Sequence, residues 1–241
     1  MKYRESSAIT VLIRKIDIFS LSSEIPVISI AGAGGKTTLM FELTKLFPGP
    51  AVLTTTTKVG ADQIRSTDLS MELSSFPPKV MRSSMWVSPS LESHNGKIAG
   101  CSLEEFRILS AICRKNNLPL INEADGAARR HIKAPAAPEP VIPPESNICI
   151  YVTGLDVLGK PVNSENVHRP EIFSKLTGLA EGDIIEADNI VRLLEHPLGG
   201  LKNIPEQAKK IVYLTHTESR EKRQAAEYIK SKLSTYDYLI V

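Results

Sequence analysis

Residues able to do chemistry concentrate first in Gly32-Ala33-Gly34-Gly35-Lys36-Thr37-Thr38, which follows the apolar run Val27–Ala31 and precedes the helical pattern Leu39, Met40, Leu43, Leu46. Glycines lack a Cβ, so the backbone can curl until several N–H groups converge, and a helix N-terminus adds its positive dipole end at the same place. Phosphate is the ligand such a loop fits. Lys36, expected as a solvent-facing ligand group, would neutralise β- and γ-phosphate charge, and the Thr37 hydroxyl would join a magnesium coordination sphere. All seven residues are therefore candidate nucleotide contacts.

The spacing departs from GxxxxGK[ST], which requires glycine at position 30, where this chain has Ile30. A shortened GxxGK[ST] loop of the kind carried by Mur-type peptide ligases is the nearer pattern. The plainer alternative is a glycine-rich turn followed by a solvent lysine.

A second apolar run, Leu118–Asn122, ends in Glu123-Ala124-Asp125-Gly126. In open α/β sheets the carboxyl ends of the strands hold the ligand. Glu123 or Asp125 could hold magnesium or orient an attacking water, and the Gly126 amide could contact a γ-phosphate. Acids in such a turn also serve as helix caps. Ala51–Thr57 ends in four threonines, of which Thr55 or Thr57 could reach the metal; threonine is equally a good strand former. The candidate metal ligands are thus Thr37, Thr55 and Glu123, and the candidate catalytic residues Lys36, Glu123 and Asp125. Arg129, Arg130, His131 and Lys133 could supply positive charge to a phosphoryl group or an acidic substrate, or form a solvated basic loop.

These residues need elements to position them. Strand-like runs recur at Pro26–Ala31, Ala51–Thr57, Met85–Val87, Leu118–Asn122, Ile148–Thr153, Lys210–Thr215 and Tyr236–Val241, with helices expected over Thr37–Leu46, Leu103–Asn116, Ala187–Glu195 and Glu218–Leu233. The alternation predicts an α/β fold: a mostly parallel sheet covered by helices on both faces, P-loop NTPase-like, in a single domain over residues 1–241. Ser66–Pro78 and Val80–Ser102 break the rhythm. Their short runs Met85-Trp86-Val87 and Lys97-Ile98-Ala99, with a turn at Asn95-Gly96, predict a small inserted β element near 80–102. Lys133–Pro144 holds five prolines and reads as an ordered loop or edge.

Composition narrows the classes. The 29 basic and 27 acidic residues of the 241-residue chain are spread along it, so no face for nucleic acid is evident. Cys101, Cys113 and Cys149 are widely spaced, with no CxxC pair and no histidine at ligand distance, which argues against a zinc site and a disulfide framework, and a reducing cytoplasm is expected. The apolar run Ala8–Ile13 is cut short by Arg14 and Lys15, so no secretory leader is expected, and no run approaches the roughly 18 apolar residues of a membrane helix.

Taken together, Ala31–Thr38, Thr54–Lys58, the run Glu123-Ala124-Asp125-Gly126-Ala127-Ala128-Arg129-Arg130-His131-Ile132-Lys133-Ala134-Pro135, Thr153-Gly154-Leu155-Asp156 and His168-Arg169 resemble the YqeC family of accessory proteins for selenium-dependent hydroxylases. The similarity spans about residues 8 to 241, and the run from Glu123 to Pro135 is its most specific part. The resemblance implies a cytoplasmic P-loop protein associated with maturation of a molybdenum-containing hydroxylase, or with handling of a molybdopterin-type cofactor.

Three functions remain open on the residues themselves. The first is an accessory NTPase using magnesium; the second a small-molecule kinase or Mur-like ATP-dependent ligase, whose acceptor site Arg129–Lys133 and His168-Arg169 could line; the third a nucleotide-binding module without turnover. An accessory switch would need a mobile segment, for which Lys133–Pro144 is the candidate. Thr215-His216-Thr217-Glu218 stands where a guanine-reading NKxD-like turn would sit, so ATP is expected over GTP.

Overall fold

A computed structural model describes residues 24–241; the run Ala8–Ile13 lies outside the described residues. The fold is α/β with a mostly parallel sheet, as the alternation predicts. The described residues group into two compact units, the first formed by residues up to Ile30, Thr37–Gly126 and Val141–Ile148, the second by Ala31–Lys36, Ala127–Pro140 and Cys149–Val241.

The first unit carries β1 (Val27–Gly32, as far as Ile30), α1 (Lys36–Thr44, from Thr37 onward), β2 (Ala51–Thr55), β3 (Val59–Gly60), α2 (Ala61–Ile64), β4 (Leu69–Glu72), β5 (Ser84–Ser88), β6 (Ser93–His94), β7 (Lys97–Ile98), α3 (Leu103–Lys115) and β8 (Leu120–Glu123). Its strand order is β1-β8-β2-β5-β4, parallel throughout. Residues of β1, β2 and β5 are buried without alternation, the pattern of strands covered on both faces. Phe106, Leu109 and Cys113 of α3 join Val27, Val52, Met85, Leu118 and Leu120 in one core cluster. The helix starts on a capping box: the Ser102 hydroxyl accepts from the Glu105 N–H while the Glu105 carboxylate accepts from the Ser102 N–H.

The inserted β element is smaller than expected. Met85-Trp86-Val87 belongs to the parallel sheet as β5, and Leu69–Glu72, within the Ser-rich stretch, pairs beside it as the edge strand β4. Trp86 is almost wholly buried together with Met85 and Val87, which an antiparallel flap with one wet face would not permit. What remains is the three-stranded sheet β3-β7-β6. Its hairpin turns at Asn95-Gly96, where both φ angles are positive, 52° and 73°, as a two-residue type I′ turn requires.

The second unit carries β9 (Ile132–Lys133), β10 (Ile148–Gly154, from Cys149 onward), β11 (Val167–His168), α4 (Pro170–Thr177), α5 (Ala187–Glu195), β12 (Lys209–Thr215), α6 (Arg220–Lys232) and β13 (Tyr238–Ile240). Its main strands follow the order β13-β12-β10, and β9 pairs in parallel with β11. Ile190, Leu193 and Leu194 of α5 and Ala226 and Ile229 of α6 pack with Tyr151, Val212 and Leu214 in a second cluster. The α4 segment starts at Pro170, whose missing N–H costs nothing there, and stops at Gly178 with φ 79°. No helix among the described residues is long and apolar enough to cross a membrane. The three thiols are free and buried; burial pushes Cys101 up and Cys113 and Cys149 up to about 12, so they remain protonated.

Candidate functional site

In the first unit β8 lies between β1 and β2, and the register places Glu123 opposite Ile30 on one side and Thr55 on the other. All three strands run the same way, so Glu123 and Thr55 share the carboxyl edge of the sheet. Thr37, in the first turn of α1, meets them there: its hydroxyl donates to Glu123 Oε2 at 3.4 Å and accepts from Gln63 Nε2 at 3.2 Å. Two of the expected metal ligands, Thr37 and Glu123, are therefore brought together. Thr55 is engaged differently. Its hydroxyl donates to the Glu123 carbonyl at 2.7 Å and accepts from the Thr57 N–H at 3.1 Å, so it fixes the backbone from which the carboxylate projects.

The segment beyond Glu123 is equally fixed. Ala124 donates to the Ile30 carbonyl and Val141 donates back to the Ala124 carbonyl, both at ladder distances of 2.8 and 2.9 Å. Asp125 is completely buried, which is more than a solvent-facing cap needs. Beneath, Asn122 donates to the Ser29 hydroxyl at 3.1 Å, and Ser29 shares a 2.8 Å hydrogen bond with Ser146.

In the second unit, Gly32, Gly34 and Gly35 have φ of 91°, 87° and 127°, a region that side chains other than glycine rarely enter. Space adds a second reason at two of them. A Cβ on Gly32 would stand 2.2 Å from the Val152 carbonyl, and one on Gly34 would stand 2.8 Å from the Gly154 nitrogen and the His131 carbonyl. Ala33 donates its N–H to the Val152 carbonyl at 2.8 Å, so this amide serves the fold. The Gly34 carbonyl accepts from the Thr215 hydroxyl at 2.5 Å.

Lys36 differs from the expectation of a solvent-facing group. Only 5% of it is exposed, and its ammonium donates to the Gly32 carbonyl at 2.7 Å, curling back over the loop it belongs to. The ammonium thereby caps the loop's own dipole.

The basic run after Asp125 does not act as one group. Lys133 is fully buried and pairs with Glu139 at 2.7 Å, while Arg169 forks onto both Glu139 oxygens at 2.5 and 2.9 Å. Burial raises the Glu139 pKa, but the hydrogen bonds from Arg169 and Lys133 outweigh it and hold the carboxyl at about 2. Arg130 donates to the Ser164 carbonyl at 2.7 Å. His131 lies 3.1 Å from Asp156 and stacks edge-on to His216 with ring centroids 5.0 Å apart. Burial holds His131 below the usual imidazole range, against the opposing pull of Asp156 and with a smaller contribution from His216.

A family model described as YqeC protein matches residues 28–171. The chain is also 32% identical over 225 residues to the uncharacterized protein YqeC of Escherichia coli (strain K12), covering 88% of this chain and 84% of that one. The chain belongs to the YqeC family. No solved structure matches it. Within the stretch matched to YqeC lie the glycine loop, Thr55, Glu123, Asp125, Gly126, His131 and Asp156; Thr215–Glu218 lies beyond it.

Gln63 and Glu139 are the residues of this YqeC-family chain that sequence reasoning missed. Gln63 sits in a helix of four residues, too short for a periodic signal. Glu139 was hidden among prolines, and only the bulk of nearby cations, with one acid in Lys133–Pro144, hinted that it would be shared.

Proposed function

We propose that the chain binds a nucleoside triphosphate on residues 34–38, with magnesium, and hydrolyses it as an accessory step in maturing a selenium-dependent molybdenum hydroxylase or handling its cofactor. The observation that carries the nucleotide reading is the hydrogen bond from Thr37, at the start of the helix after the glycine loop, to the Glu123 carboxylate at the end of β8. A hydroxyl and a carboxylate are hard oxygen donors, the kind that magnesium prefers, and magnesium would neutralise phosphate charge in the transition state. Thr37 and Glu123 would hold it, and Thr55 would keep Glu123 in place through its backbone. Lys36 would exchange the Gly32 carbonyl for phosphate oxygens, a stronger charge-assisted contact.

The accessory role rests on the family resemblance. A kinase or ligase fits less well: of the cations offered for an acceptor site, Lys133 and Arg169 are spent on Glu139. Phosphate release from MgATP, measured with and without a molybdopterin-type cofactor, tests the proposal, together with co-purification of a molybdenum hydroxylase. Release that is absent in wild-type protein, or equal in Lys36→Ala, would refute the hydrolytic reading.

A further inference from the structure

One cluster of chemically able side chains is not used by the nucleotide reading. His131, Asp156 and His216, all in the second unit, bring one ligand atom each to within 4.8 Å of one another. Three separate elements converge to do so: the segment before β9, the turn after β10 and the turn after β12. Their backbones are held. The Gly154 N–H donates to the His131 carbonyl at 2.8 Å, and His216 occupies the left-handed region with φ 58°, a conformation uncommon outside glycine.

The contact between His131 and Asp156 is informative in what it lacks. Nδ1 and Oδ1 are 3.1 Å apart and both atoms are buried, yet neither makes a hydrogen bond, to the other or to anything else among the described residues. Unsatisfied buried atoms that face each other are costly unless something sits between them and a third group. Metal–nitrogen and metal–oxygen bonds of about 2.0–2.2 Å, meeting at 90–110°, set two ligand atoms about 2.9–3.4 Å apart. The observed separation falls in that range.

We propose that His131, Asp156 and His216 form a binding site for a first-row divalent transition cation of the zinc type. Two imidazoles and one carboxylate select such an ion over magnesium, which takes oxygen ligands. Three protein ligands leave at least one coordination position open, the arrangement of exchangeable rather than four-coordinate structural sites. Lys160, 3.8 Å from Asp156 Oδ2, and Lys222 are the cations that face the cluster; Lys160 is half-exposed and can swing its ammonium into solvent when the cation arrives. The site uses none of the buried cysteines and departs from the sequence expectation of no zinc site, because its ligands are far apart in the chain and only the fold brings them together. It does not depend on the phosphate loop, so it stands or falls separately from the nucleotide reading.

Cobalt(II) is a suitable probe, titrated into chelator-treated, nucleotide-free full chain. The expected result is one equivalent bound with visible ligand-field absorption, displaced by zinc and not by excess magnesium. Asp156→Asn and His216→Asn, folded by circular dichroism, should weaken cobalt at least tenfold, while His94→Asn, at an exposed histidine outside the cluster, should bind it like wild type. A measurement on wild type alone guards against variants that fail to fold: ring-proton NMR of the chain's five histidines should show two shifted or broadened by one equivalent of cobalt. No binding at millimolar cobalt, undiminished affinity in the folded variants, or broadening that instead selects the exposed His94 beside Glu92 would overturn the proposal.

Discussion

The Thr37 hydroxyl donates to Glu123 Oε2 at 3.4 Å, linking the first turn of α1 to the end of β8 across 86 residues of sequence. The bond is long for a hydroxyl and a carboxylate, which usually close to about 2.5–2.7 Å. A pair held at this looser distance can open around a small cation without rebuilding either backbone, because Thr55 and Gln63 fix one partner each.

Glu123→Gln keeps the side-chain shape and removes its charge. In the proposed mechanism it should cut magnesium-dependent phosphate release about 10²-fold or more while changing nucleotide affinity much less. Asp125→Asn is expected to act the same way. Steady-state turnover and calorimetric binding, measured side by side on both variants, separate the two quantities. Equal losses in both assays would make these acids structural turn positions.

Lys36→Ala should abolish triphosphate binding, since it removes the cation that would meet the phosphates. Because the ammonium also serves the buried Gly32 carbonyl, the variant should be less stable by about 1–3 kcal/mol while still folding. Denaturant unfolding and calorimetry check the two effects independently. Unchanged nucleotide affinity in a folded variant would assign the loop another role.

How far the sequence could be read follows from which signals are local. The glycine loop, the Glu123 strand end and the α5 bounds were all legible, because each rests on residues adjacent in the chain or on one helical period. Ser66–Pro78 concealed β4, whose residues alternate between partly buried and exposed as an edge strand's do and carry no continuous apolar run. Lys36 reads as a solvent-facing phosphate ligand, and Lys133 as charge for a phosphoryl group or acidic substrate or as part of a solvated loop, since nothing local announces that a carbonyl four residues back or a glutamate in a proline-rich loop will meet them in the interior. The same limit hid the histidine cluster: its three ligands, His131, Asp156 and His216, stand 25 and 60 residues apart in the chain.

Glu139→Gln should destabilise the second unit by about 3–5 kcal/mol near neutral pH, because Lys133 is left buried with its main counter-charge gone. The effect has a defined pH dependence. Folding lowers the Glu139 pKa from 4.5 to about 2, so the stabilisation is complete above 4.5 and disappears as pH falls towards 2. Thermal melts of wild type and variant at pH 7, 4.5 and 2.5 should converge on acidification. A gap that stays constant with pH would show that the carboxylate charge contributes nothing.

Base selection can be argued from the turn after β12. Guanine readers of the NKxD type use an aspartate that accepts from ring N–H groups, and here Thr215 is committed to the Gly34 carbonyl while His216 belongs to the cluster with His131 and Asp156. Glu218 is the acid within the turn itself and lies exposed. A base donor left without its acceptor costs about 1–3 kcal/mol, so a site lacking the reader should bind ATP at least as tightly as GTP. Competition of the two nucleotides for one labelled analogue measures the ratio directly. A tenfold preference for GTP would contradict the expectation, and if Glu218→Ala then abolished that preference, the displaced acid would be the reader.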